Sequence, residues 1–187
     1  MKALDLTEDQ VHLINIEELN RKHGVRGAQG FVIEWNTVMG FDDDGNKLHI
    51  DAVIIDTHGN PNELTNNLGW RLTTAVIDTL ESKSMGVMML FGCNVGHLDY
   101  KDTNIANAFA KKANGAPVYA ADGTVCHARE FGLFGHVSYE ARADWRFKEW
   151  REIADSGSKR KSGGWIIYQG DTVTATNKSM LMLRSSS

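Results

Sequence analysis

His58 and Cys93 are the two residues whose type and setting best suit covalent chemistry. A thiolate is a strong nucleophile, and an imidazole moves protons near neutral pH. The two lie 35 positions apart, and each follows an apolar run. Ala52-Val53-Ile54-Ile55 leads through Asp56-Thr57 to His58-Gly59, and Val87 to Phe91 leads through Gly92 to Cys93-Asn94. Apolar runs of this length read as buried strands. Each reactive side chain is therefore expected just past a strand end, on a rigid support and open to a substrate. The backbone N–H groups of Gly59 and Cys93 are the expected donors to a developing oxyanion, which is worth a few kcal/mol of transition-state stabilisation. Gly92 is expected to let a substrate strand come close without a Cβ in the way.

The elements that must hold these residues follow from local patterns. Thr7 caps an expected helix over 8–23, Gly27 to Gly30 reads as loop, and Phe31 to Trp35 reads as a strand. Asp44-Gly45 suits a hairpin tip. Leu48 to Asp56 reads as a strand whose continuous apolar half suits a central position covered on both faces. His58-Gly59-Asn60-Pro61-Asn62 breaks it. Helices are expected over Leu68–Ser82, over Thr103–Asn114 with Asp102 or Thr103 as cap, and over Ser138–Asp155. Strands are expected at Val87–Phe91, Pro117–Ala121, Trp165–Gln169 and Thr172–Ala175, and a loop at Gly157–Gly164. Strand, helix, strand, helix, strand over 48–121 is an α/β pattern with three parallel neighbours and helices on the faces. Ligands of such sheets sit at the carboxyl ends of the strands. Those ends carry Thr57-His58-Gly59, Gly92-Cys93-Asn94 and Ala121-Asp122-Gly123.

Bulk properties narrow the field. The 187 residues suit a single domain, with 1–30 as an N-terminal extension and 48–125 as the core that carries the chemistry. Two cysteines build no disulfide framework, so a reducing compartment is the simpler expectation and any interest in them is as thiols. A net charge of −4 leaves no electrostatic footprint for nucleic acid. The basic residues between Arg142 and Lys161 read as a solvated helix and loop, with an anion-binding surface as the lesser reading. No apolar stretch approaches the roughly 18 residues of a spanning helix. The polar, acidic start is not a signal peptide. A cytoplasmic protein and an exported piece of a larger precursor both fit.

Competing chemistries fit less well. Cys93 with His97 and Cys126 with His127 could hold zinc, but neither pair has the usual chelating spacing. Gly92-Cys93-Asn94-Val95-Gly96 lacks the glycines and lysine of a nucleotide loop. Its nucleophile also stands one place early for a hydrolase elbow.

The segments IIDTHGNPNEL, LFGCNVGH and IANAFAKKANGAPVYAADGTV together resemble the caspase-like cysteine peptidase clan. That clan includes caspases, gingipains, clostripain and the self-processing cysteine protease domains of bacterial toxins. The similarity is greatest to the toxin-type and CHAT-like branches and covers about 48–125. It implies a three-layer α/β fold with a mostly parallel central sheet flanked by helices. It implies His58 and Cys93 as a catalytic dyad, the Gly59 N–H as an oxyanion donor, and peptide bonds as substrate, including bonds of the chain itself. Arg26 and Lys161 are then candidate self-cleavage sites. Asp122 and Asn94 are the candidate substrate-binding residues, and Asp122 would favour a basic residue before the cut. Phe91 stands where a second carboxylate would be needed, and no caspase-type Gln-Ala-Cys-Arg-Gly is present to support aspartate specificity. No cofactor or metal is implied. A polyanion such as an inositol phosphate is a possible activator through Lys159-Arg160-Lys161. The alternative is a caspase-like domain that no longer cuts and serves as a binding scaffold.

Overall fold

A computed structural model describes residues 15–66, 69–131, 137–144, 164–175 and 180–184. It is a mixed α/β arrangement. Asn15 opens helix α1 (Ile16–His23) by accepting the Glu17 N–H at 3.0 Å, and Gly24 closes it at φ 64°. Helix α2 spans Gln29–Thr37. The predicted strand at Phe31–Trp35 is thus a helix. Five residues, four apolar around Glu34, do not separate the two periods. Packing decides, because Phe31 and Trp35, four apart, are both buried in the main core. The Trp35 indole N–H donates to the Glu81 carbonyl at 2.7 Å.

Strand β1 (Ile50–Asp56) is followed by a small antiparallel sheet of β2 (His58–Asn60), β3 (Glu63–Thr65) and β4 (Arg71–Thr73). The helix expected over Leu68–Ser82 shrinks to one turn, α3 (Thr74–Ile77), capped by Thr73. Leu72 is drawn instead into the sheet, opposite Leu64, and both are fully buried. Then come β5 (Met85–Phe91), α4 (Ile105–Ala110), β6 (Val118–Ala121), β7 (Thr124–Phe131), β8 (Val137–Asp144), β9 (Trp165–Gln169), β10 (Thr172–Ala175) and β11 (Met180–Arg184). The cap of α4 is Asn104, not Asp102 or Thr103. Val137–Asp144 is a strand where a helix was expected, paired with β7 on one side and β11 on the other. Its strict apolar–polar alternation is the strand signal. The rest of that expected helix, with Trp145, Phe147, Trp150 and the Lys159-Arg160-Lys161 loop, lies outside the described residues.

The main sheet has the order β1-β5-β6-β9-β10 among the described residues. The expected parallel trio is present: β1 and β6 both run parallel to β5. β9 and β10 complete the sheet antiparallel. Among the described residues β1 is an edge strand rather than a central one, and Ile54 is 40% exposed, so the described residues cover its apolar run on one face only. The core is split by the sheet. Met88, Leu90, Val118, Ala120 and Tyr168 face one side with Phe31 and Trp35 of α2, Ile77 of α3 and Phe109 of α4. Met89, Phe91, Ala121 and Trp165 form a smaller cluster on the other, which Val125 joins. Among the described residues the helices therefore cover one face, not both. None of them is long and apolar enough to cross a membrane.

Candidate active site

The register of the parallel sheet sets His58 and Cys93 just past the ends of neighbouring strands. Asp56 pairs with Phe91 in the β1–β5 ladder. His58 and Cys93 each lie two residues further on, past the carboxyl ends of two neighbouring parallel strands. The turns that carry them touch. A Cβ built on Gly92 would lie 3.5 Å from the Gly59 Cα, and one built on Gly59 would lie 3.4 Å from the Cys93 carbonyl oxygen. His58 is exposed and Cys93 half-buried. His58 does not sit in a loop as expected. It begins β2 and pairs with Thr65, while the neighbouring Thr57 hydroxyl donates to the Thr65 carbonyl at 2.6 Å.

The glycines at these strand ends make room for neighbours. Space for a side chain at Gly92 is already taken, with the Val95 Cγ1 at 2.9 Å and the Leu64 Cδ2 at 3.1 Å from where a Cβ would sit. At Gly59 the same Val95 carbon would be only 2.5 Å away. Val95, fully buried, is the plug on which both strand ends close, and Gly92 makes room for it. Gly96 is needed for the same kind of reason: a Cβ there would meet the Ala120 Cβ at 2.7 Å.

The loop after β5 is tied to the end of β6. The Asn94 N–H donates to the Gly123 carbonyl at 2.7 Å, and the Gly96 N–H to the Ala121 carbonyl at 2.9 Å. Asn94 holds φ 58°, a left-handed conformation that asparagine tolerates better than most residues, and its Oδ1 is buried with no hydrogen-bond partner. The Val125 N–H, at the start of β7, donates to the Cys93 sulfur at 3.4 Å. That contact joins residues 32 apart, and sequence reading missed it.

Asp122 departs most from expectation. It has no exposed surface, and its carboxylate accepts the Leu98 N–H at 2.9 Å, with the His97 Nδ1 3.9 Å away. It clamps the segment after Cys93 from beneath instead of lining an open pocket. His97, 1% exposed, accepts the Asp99 N–H at 3.2 Å and stacks edge-on with Tyr100. Among the described residues no group of three His, Cys, Asp or Glu is arranged to hold a metal. The side chains of Cys126 and His127 lie outside them, and Arg26 sits in the turn between α1 and α2.

A cavity of about 420 Å³ lies beside β1. Phe31, Val53, Ile55 and Trp70 line it, and it reaches Asp56 and Thr57 but neither reactive residue.

Comparison with protein-family models, with curated proteins and with solved structures finds no match.

Proposed function

We propose that this chain is a cysteine endopeptidase with a caspase-like arrangement of its catalytic strands. The observation that supports the reading is the pairing of Asp56 with Phe91, after which His58 and Cys93 follow at the carboxyl ends of two neighbouring parallel strands. In this reading the Cys93 thiolate attacks the carbonyl carbon of the scissile peptide, and the N–H groups of Gly59 and Cys93 receive the charge that develops on oxygen. His58 takes the thiol proton and returns it to the leaving amine, so the tetrahedral adduct collapses to a thioester. Water, deprotonated by His58, then releases the acid and restores the thiol. The half-buried sulfur and exposed ring fit a nucleophile held by the fold beside a base that meets solvent.

The reading leaves residue preference to Asn94, since the buried Asp122 carboxylate already accepts the Leu98 N–H. A caspase-like three-layer fold would place further helical cover over the cluster of Phe91 and Trp165, and the substrate would be a protein or peptide, including this chain's own.

The test is a panel of fluorogenic peptides with Arg, Lys, Leu or Asp before the cut, run on wild type, Cys93→Ala and His58→Ala. Wild type should cleave at least one peptide, and both variants should lose at least about 10³-fold in kcat. Intact peptides and an uncut chain with the wild-type protein would reject the reading in favour of a binding scaffold.

A further inference from the structure

Beneath the Cys93 loop lies a buried polar chain that ends on its backbone. Tyr168 of β9 has no exposed surface, and its hydroxyl donates to the Gly96 carbonyl at 3.0 Å. Asn104, also fully buried, donates from Nδ2 to the Tyr168 hydroxyl at 2.7 Å and to the His97 carbonyl at 3.1 Å. Its Oδ1 accepts the Asn107 N–H at 2.9 Å and so caps α4. Each of these polar atoms has a partner of the right kind, which is the condition for keeping such groups in a core.

The same helix start reaches both halves of the dyad. The Ala106 N–H donates to the Val95 carbonyl at 3.2 Å, inside the Cys93 loop. The Ile105 N–H donates to the Pro61 carbonyl at 2.9 Å, in the hairpin turn that follows His58. Asn104 therefore stands where the hairpin of His58 and the loop of Cys93 are tied to one rigid point. A core needs no polar chain to pack β9 against α4, since apolar side chains of the same shape would serve. What the chain supplies is a defined place for the Gly96 and His97 carbonyls. That in turn sets where the Cys93 N–H and sulfur lie relative to His58.

We propose that Asn104 and Tyr168 are positioning residues that hold the nucleophile loop in register with the His58 hairpin. The proposal rests on the peptidase reading for its consequence in catalysis, but its geometry is readable at the thiol alone. Misplacing a reacting group by an ångström costs up to about 100-fold in rate, so a loosened loop should cost about tenfold.

Tyr168→Phe removes the hydroxyl and keeps the ring. Asn104→Ser keeps an oxygen to cap α4 and loses the reach to His97 and Tyr168. For each variant kcat, KM, the unfolding midpoint and the rate of Cys93 alkylation by iodoacetamide, mapped by peptide mass, are measured. Both variants should fold, lose about tenfold in kcat with KM within about twofold, and change the Cys93 alkylation rate by about threefold or more. Folded variants that keep both the wild-type kcat and the wild-type alkylation rate would overturn the proposal. If wild type cleaves no peptide, the peptidase reading fails, and the alkylation rates still decide the positioning role. Should neither variant fold, amide exchange on wild type decides. The Gly96 and Leu98 amides should be protected like those of β5, and exchange as fast as in the Asp42–Asn46 turn would overturn the idea.

Discussion

The Val125 amide points its hydrogen at the Cys93 sulfur across 3.4 Å. β7 is the outer strand of its three-stranded sheet, so an N–H turned away from β8 is free to serve another group. The contact ties the sulfur to the start of β7 and so fixes where it lies. Val125→Pro removes that one hydrogen at a strand position where proline is tolerated. With the sulfur released, the Cys93 alkylation rate should change by about threefold or more, with little change in the unfolding midpoint. An unchanged rate in the folded variant would mean that the sulfur does not depend on this donor.

The contact between Gly59, Gly92 and Val95 makes a stability prediction. Gly92→Ala forces a Cβ to within 2.9 Å of the Val95 Cγ1 and should cost about 1–3 kcal/mol by overpacking. For a chain of this size that lowers the unfolding midpoint by several degrees, at about 2–4 °C per kcal/mol. Adding Val95→Ala removes the clashing carbon, so the double variant should be more stable than the sum of the two single losses implies. Simple additivity in thermal melts would count against the plug.

Asn94 separates backbone from side chain. Its φ of 58° disfavours Asn94→Ala by about 1 kcal/mol, whereas Asn94→Gly accepts the same backbone freely. If the half-buried Asn94 side chain meets substrate, Asn94→Gly should raise KM several-fold while the melting curve stays near wild type. An unaltered KM would remove Asn94 from the binding residues.

Lys83 carries the pH prediction. Burial holds its ammonium below the ordinary lysine range, opposed by Glu81, whose carboxylate is 4.0 Å away. Its Nζ also lies 4.2 Å from the centre of the Phe41 ring. The folded state thus gives up this proton more readily than the unfolded chain does. Stability carries a penalty that is whole at neutral pH and fades as pH climbs towards the ordinary lysine value of 10.5. Lys83→Met keeps the stem against Phe41 and removes the charge. It should raise the midpoint by about 2 °C at pH 7, with the gain shrinking by pH 10. A gain that is constant with pH would assign the effect to packing alone.

Much of the site's framework was legible because its signals are local. The runs Ala52–Ile55, Val87–Phe91 and Val118–Ala121 are each short, apolar and followed by small or turn-forming residues, and they form the parallel trio. The alternation in Val137–Asp144 was also present to be read, and was lost beneath an expected helix. Phe31–Trp35 was ambiguous in itself, since five residues fit either period until Trp35 meets Phe109 at 5.8 Å.

By itself, then, the order of residues determined which positions follow strand ends: His58, Cys93 and Asp122. Side-chain hydrophobicity and turn preference act between neighbours in the chain. Tertiary structure alone decided that β1 lies at an edge among the described residues, that Asp122 is sealed under a loop, and that Gly92 makes room for Val95. It alone joined Asn104 to Tyr168 across 64 residues. Such contacts depend on how distant segments fill one volume, and no local pattern carries that distance.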